Sequence, residues 1–249
     1  MRLKNKTAII TGAAGFIGKT TAEIFRREGA NVVLTDRDLD LLQRETKHFA
    51  DEQTLCLQAD VTSVEDTKQV VRSAEEKFGG IDIFFANAGI EGVSNPISDY
   101  SLDVHDQVMD INVKGIVIGL QSILPAMRDG GSIIMTSSIA GLIGSPVNIS
   151  YSASKHAVIG LRRSAAIPAG ERAIRVNSIH PGFVDSPMLN RLMEQRGDID
   201  VVREQFVQKT KLGRLIQVEE IAEVVAFLAS DASRAITDQA IVVDGGVSQ

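Results

Sequence analysis

Tyr151 and Lys155 stand four residues apart in Tyr151-Ser152-Ala153-Ser154-Lys155, and Ser138 lies thirteen residues upstream of the tyrosine. In a helix, positions i and i+4 share one face, so the phenol and the ammonium can work on one substrate atom. A free tyrosine titrates near 10 and exchanges protons poorly at neutral pH. A cation held about 4 Å away is worth up to ~4 kcal/mol at an effective dielectric of 20, or roughly three pK units. Lowered that far, the phenol could trade a proton with an alcohol or a ketone. The chain holds 2 tyrosines, and one of them meeting a lysine at this interval is also an easy coincidence. The elements around the pair decide.

Thr7-Ala8-Ile9-Ile10-Thr11 is an apolar, β-branched run that predicts a buried strand. Gly12-Ala13-Ala14-Gly15-Phe16-Ile17-Gly18 follows, and Lys19 to Glu28 has helical character. A strand, a glycine turn and a helix N-terminus form a site for a dinucleotide pyrophosphate, because the backbone can come close and free N–H groups face the phosphates. The bland reading is only a turn. The next strand, Asn31 to Thr35, ends at Asp36, eighteen residues after Gly18. An acidic residue there can hold the ribose 2′-hydroxyl of NAD. The bland reading is a cap for the helix that starts near Asp38 and Asp40.

Strands are expected at 7–11, 31–35, 54–60, 82–87, 132–137, 175–180 and 240–244. Helices are expected near 16–28, 63–78, 103–127, 151–167 and 218–230. The alternation predicts an α/β fold: one doubly wound, Rossmann-type domain over residues 1–249, with a seven-stranded parallel sheet between two layers of helices. A chain of 249 residues with 44% apolar content can bury a core of that size. No run of eighteen apolar residues suggests a membrane span, and Met1 to Lys4 lead straight into the first strand, so no signal peptide is expected. Cys56 is the single cysteine, which excludes an internal disulfide and gives no reason to expect secretion. The net charge of −6 offers no footprint for nucleic acid or anionic lipid, and the 4 histidines lack metal-ligand spacing, so no metal is expected.

Together these motifs resemble the short-chain dehydrogenase/reductase family, in its short branch of about 250 residues. Asp60-Val61, Asn87-Ala88-Gly89, Asn112, Ser138, Tyr151, Lys155, Pro181-Gly182 and the closing Val242-Val243-Asp244-Gly245-Gly246 carry the likeness over nearly the whole chain. The resemblance implies Tyr151 as acid/base and Lys155 as the group that lowers its pKa and holds the nicotinamide ribose. Ser138 would donate to the substrate oxygen, and Asn112 would distort its helix and hold a water in a proton relay. It implies a cofactor set of Gly12, Gly15, Phe16, Ile17, Gly18, Asp36, Asp60, Val61, Asn87, Gly89, Tyr151, Lys155, Pro181, Gly182, Val184 and Ser186. Residues 183–212 would form a substrate lid, with Ser138, Met188 and Leu189 facing the ligand. Two departures stand out. Phe16 occupies a position where the short branch usually has glycine, as in the family's extended branch. Pro168 should kink or end its helix early.

The expected activity is reversible hydride transfer between a secondary alcohol or ketone and NAD, with NADP disfavoured by Asp36. The alternatives are a 3-oxoacyl carrier-protein reductase, for which Arg128 and Arg172 could form a basic patch, and a dinucleotide-binding regulator without catalysis. A cytoplasmic homotetramer is expected. Ile116, Val117, Ile118, Leu120, Ile123, Leu124, Val158, Ile159 and Leu161 exceed what covering one sheet face requires.

Overall fold

Seven apolar, β-branched runs pair in parallel in this computed structural model, which describes residues 1–248. They are β1 (Thr7–Thr11), β2 (Asn31–Asp36), β3 (Thr54–Gln58), β4 (Ile81–Ala86), β5 (Met127–Thr136), β6 (Arg175–Pro181) and β7 (Ala240–Val243). Their order across the sheet is β3-β2-β1-β4-β5-β6-β7. Ile9 of β1 lies opposite Val33 of β2 on one side and Phe84 of β4 on the other. Parallel neighbours cannot be joined by a hairpin, so helices cross over both faces. These are α1 (Phe16–Arg27), α2 (Leu39–Thr46), α3 (Val64–Phe78), α4 (Leu102–Met109), α5 (Gly115–Ile123), α6 (Ile149–Gly170), α7 (Pro187–Glu194), α8 (Ile199–Lys209) and α9 (Val218–Ala229). The seven-stranded parallel sheet expected from the sequence is the one observed.

Alternation along the strands divides the core in two. Ile10, Phe85, Ile134 and Ile179 pack with Phe25 of α1 and with Ile221 and Val225 of α9. Ile9, Phe84, Ile133 and Met135 pack on the other side with Val70 of α3, Ile116 of α5 and Val158 of α6. Both faces are dry, which is why these strands read as continuous apolar runs. Each such side chain contributes roughly 1.5–3 kcal/mol on burial.

The helix expected over 103–127 is broken into pieces. α4 passes into a π turn, Asp110–Lys114, before α5 begins. By length and mean hydropathy alone, Leu102–Ala126 would pass for a membrane span. Here it packs inside the domain, with Ile116, Ile118 and Ile123 buried. Gly119 approaches the sheet so closely that a Cβ would lie 2.7 Å from Phe84 Cζ. Four of the apolar residues counted as surplus, Ile116, Ile118, Ile123 and Val158, are thus spent on this chain's own core. Val117 remains exposed, and Leu120, Leu124, Ile159 and Leu161 are half-buried.

α2 is the helix expected to start near Asp38 and Asp40, and α7 and α8 lie in the segment expected as a lid. All three are short, and each starts at an acidic or hydroxyl cap: Asp38, Ser186 and Asp198 accept from first-turn N–H groups. Of the kink or early stop expected at Pro168, the stop does not occur, because α6 continues to Gly170. Pro168 costs one backbone bond near the helix end, and burial of Ala165 and Ala169 on either side holds the last turn against the sheet. α7 and α8 pack on each other through Leu189, Met193, Val202 and Phe206, with Leu215 completing a third, smaller cluster.

Candidate active site

The turn between β1 and α1 is shaped by two close approaches. Gly12 adopts φ +63°, and a Cβ there would lie 2.8 Å from Ala88 Cα. At Gly18 a Cβ would lie 2.9 Å from Ala13 Cα and 3.0 Å from Asn87 Nδ2. Only glycine fits either place. Gly15 is the residue before the helix, and no side chain caps it. The helix therefore presents its free N–H groups and positive end at the carboxyl edge of the sheet, a cradle that suits a pyrophosphate. Phe16 does not deform the turn. It takes the first helical position, with its ring at the surface and Lys19 Nζ 5.4 Å from the ring centroid.

Asp36 ends β2 and turns toward this cradle. Its Oδ2 accepts from Ala14 N at 3.1 Å. The capping role falls instead to Asp38, which accepts from Leu41 N at 2.9 Å. Asp60 is exposed, and its Oδ1 accepts from both Thr62 N (2.8 Å) and Thr62 Oγ1 (2.7 Å), which holds its carboxyl below the usual range. That is the behaviour of a turn residue. Val61 packs on the start of α5, where a Cβ on Gly115 would lie 2.8 Å from its Cγ2. Asn87 ties three strands together. Its Nδ2 donates to Thr11 O and Gly12 O, its N–H donates to Thr11 Oγ1, and its Oδ1 accepts from Thr136 Oγ1.

Ser138 follows β5, and Tyr151 and Lys155 occupy the first turns of α6. The three meet at the same edge of the sheet as the cradle. Lys155 is buried, donates from Nζ to Thr136 O at 2.9 Å, and lies 5.4 Å from the Tyr151 ring centroid. A Cβ on Gly89 would come within 3.4 Å of the same Nζ. The expected lowering of the tyrosine is not what this geometry gives. Burial dominates and pushes the Tyr151 phenol up to about 12, with Ser138 opposing and the carboxylate of Glu91 adding to the rise. Burial also pulls Lys155 down to about 8. One of the three ammonium N–H groups donates to a carbonyl, and desolvation dominates at the phenol.

Asn112 sits in the π turn, fully buried. Its Oδ1 accepts from Ile90 N at 2.8 Å, and its Nδ2 donates to Ile90 O (2.9 Å) and Ser154 Oγ (3.0 Å). Both amide hydrogens are used, so the side chain is first a clamp between the β4 loop and α6. One lone pair of Oδ1 is left for a water.

Pro181 ends β6, and Gly182 passes Asp244 so closely that a Cβ would lie 2.7 Å from its Cα. Val184 is buried beside Ile216, and Ser186 caps α7 through Leu189 N. Leu189 points into the α7–α8 cluster, whereas Met188 is exposed. α7 is fastened across the cleft to the loop after β4. Arg191 Nε and Nη2 reach Glu91 Oε1 at 2.9 and 2.8 Å, and Ser94 N donates to Gln195 Oε1 at 3.1 Å. Glu91, held by Arg191, is near enough for its negative charge to oppose ionisation of Tyr151. Thr11, Thr136, Arg191 and His180 were missed. For the threonines and the histidine, the available signal was a polar residue inside or ending an apolar strand.

Comparison with known proteins agrees with this geometry. The family model described as enoyl-(acyl carrier protein) reductase matches residues 12–248. A cyclohexanol dehydrogenase from an Acinetobacter species is 36% identical over 98% of this chain and 95% of its own length. A 3-oxoacyl-(acyl-carrier-protein) reductase from Thermotoga maritima is 38% identical over 99% of both chains. The crystal structure of a short-chain dehydrogenase/reductase from Brucella melitensis superposes with a TM-score of 0.92 at 34% identity, covering 99% of this chain and 98% of that one.

Because Tyr100 is the other of the 2 tyrosines, Tyr151 can be titrated alone by ultraviolet absorbance in a Tyr100→Phe background. Its ionisation should lie above that of free tyrosine, toward about 12. Glu91→Gln removes a negative charge that opposes the phenolate, so the transition should move to lower pH. An unmoved transition would show that Glu91 does not face the phenol.

Proposed function

The chain belongs to the short-chain dehydrogenase/reductase family, and we propose that it is an NAD-dependent enzyme that interconverts a secondary alcohol and its ketone. The observation that carries this reading is the meeting of Ser138, Tyr151 and Lys155 with the uncapped end of α1 at one edge of the sheet. The cofactor supplies hydride chemistry at its nicotinamide. Gly12, Gly15 and Gly18 would hold its pyrophosphate, Asp36 its adenosine ribose, and Lys155 its nicotinamide ribose. The set of donors and close backbone approaches fits that ligand.

A phenol raised to about 12 is protonated at neutral pH, so Tyr151 stands ready to donate to a carbonyl oxygen. Running toward the ketone, Tyr151 must first release its proton to solvent, and the phenolate oxygen then accepts the alcohol proton, so oxidation should speed up as pH rises toward that value. Ser138 donates to the substrate oxygen and limits the cost of negative charge there. A cyclic alcohol of modest size is supported by the cyclohexanol dehydrogenase relative. The carrier-protein reductase remains the second reading because of the Thermotoga relative. Its basic patch lacks support. Arg128 is paired with Asp82 at 2.8 Å and Arg172 with Asp129 at 2.8 Å, all near the amino end of β5, away from the cleft.

For the cofactor, Asp36 favours the free 2′-hydroxyl and repels a 2′-phosphate, and residues 12–18 contain no basic side chain. Steady-state kinetics should give a higher kcat/KM with NAD than with NADP, and the reverse order would remove the NAD assignment. Tyr151→Phe should cut turnover of cyclohexanol to a few per cent or less while leaving NADH affinity near wild type, because only the exchangeable proton is lost. Substantial residual turnover would reject Tyr151 as the acid/base. The exposed Val117, with half-buried Leu120, Ile159 and Leu161, supports packing against a second copy in a homotetramer. Light scattering should then give about four times 26.8 kDa, and a monomer mass would contradict it.

A further inference from the structure

The backbone ladder between β5 and β6 ends one residue short of Ser138. Its last pairing sets Thr136 against Ile179, and Ser137 N donates to Ile179 O at 2.9 Å. Ser137 Oγ then donates to Lys155 O at 2.8 Å. Beyond this point the next contact from β6 is a side chain. His180 is fully buried, with Nδ1 3.1 Å from Ser138 O and Nε2 2.8 Å from Ser178 Oγ.

These two contacts determine the tautomer. A carbonyl oxygen can only accept, so the hydrogen must be on Nδ1, and Nε2 then accepts from the Ser178 hydroxyl. Burial, with Arg162, Lys155 and His156 nearby, pulls His180 down to about 4, so the ring is neutral under ordinary conditions. A neutral imidazole with one fixed donor is a strut rather than a proton carrier.

We propose that His180 is a positioning residue for the reaction: its Nδ1–H extends the β5–β6 pairing by one residue, fixes the Ser138 backbone, and so aims the Ser138 hydroxyl at the substrate oxygen. Ser138 itself is extended, with φ −167° and ψ 166°, and its Oγ already accepts from Ala140 N at 3.1 Å. Rotation of this backbone would carry the hydroxyl away from Tyr151. The same histidine precedes Pro181 and Gly182, so one side chain links the serine to the strand end that the proposed cofactor would contact. The inference rests on Ser138 serving as the hydrogen-bond donor proposed above.

Two amide substitutions separate positioning from packing. The amide nitrogen of asparagine can replace Nδ1, whereas that of glutamine replaces Nε2 and leaves Ser138 O without its donor. For cyclohexanol oxidation, His180→Gln should lower kcat by about tenfold or more, since small misplacements of a catalytic group have effects of that size. NADH affinity, read by fluorescence, should change less than about twofold. His180→Asn should keep kcat within about threefold of wild type. Equal loss in both variants, or loss of NADH affinity alongside kcat, would make His180 merely structural. An undiminished kcat in His180→Gln would overturn the proposal. If the glutamine variant does not fold, a tenfold fall in folded His180→Asn overturns it, and a near-normal kcat upholds it. A second readout needs no turnover. Nitrogen-15 NMR of the 4 histidines, assigned by the signal lost in His180→Asn, should show Nδ1 protonated and Nε2 bare. The opposite tautomer would refute the strut even in a protein inert toward every alcohol. Such inertness, with the Nδ1–H tautomer present, would count against the proposed function alone.

Discussion

Parallel pairing of β1 with β2 on one side and β4 on the other sets everything else in place. Because the strand order reverses at β1, the chains leaving β1 and β4 part company, and a crevice opens above their carboxyl ends. The two loops nonetheless start so close together that Gly12 and Ala88 are in contact, and Asn87 stitches β1 to β4 and β5 with its side chain. A larger residue at Gly12 would push the strands apart where the site needs them closest. The uncapped helix end, Asp36, Lys155 and Ser138 all derive their positions from that junction.

Burial then governs the electrostatics. Tyr151 and Lys155 are each driven toward the neutral form, one to about 12 and the other to about 8. An i,i+4 spacing brings two side chains to one face, but it does not orient an ammonium toward a hydroxyl. Here Thr136 O claims the ammonium. Glu91, reached only through folding of the loop after β4, adds a negative charge to the same neighbourhood.

The sheet, its helical layers and the meeting of the candidate site residues at one sheet edge were legible because each rests on local pattern: apolar runs, a glycine turn, a four-residue interval. Three kinds of feature were not. The bounds of short helices such as α7 and α8 were one, because few turns leave a period weak and a cap is then the clearest local mark. The passage of α6 through Pro168 depends on burial of Ala165 and Ala169, which a breaker rule ignores. Sidedness was the third. Whether Ile118 faces the sheet or solvent, whether Asp36 turns to the cradle or caps a helix, and whether Glu91 points inward are decided by packing between distant segments. Leu189 illustrates the same limit, because its helical spacing with Met193 and Phe206 reflects a cluster of their own.

That cluster sits apart from the two cores that flank the sheet. Leu189, Met193, Val202, Phe206 and Leu215 pack chiefly among themselves, with Phe183 stacked on Phe206 at 4.3 Å. Its ties across the cleft are Glu91–Arg191 and Ser94–Gln195, both on exposed side chains of α7 or just after it. Such a segment forms its own cooperative unit. Lys211 N and Leu212 N, which donate to Gly245 O after β7, and Val184 and Ile216, which pack in the first core, anchor its ends. α7 and α8 can therefore loosen without opening the sheet, and their amide hydrogens should exchange on a shorter clock than those of β4 and β5.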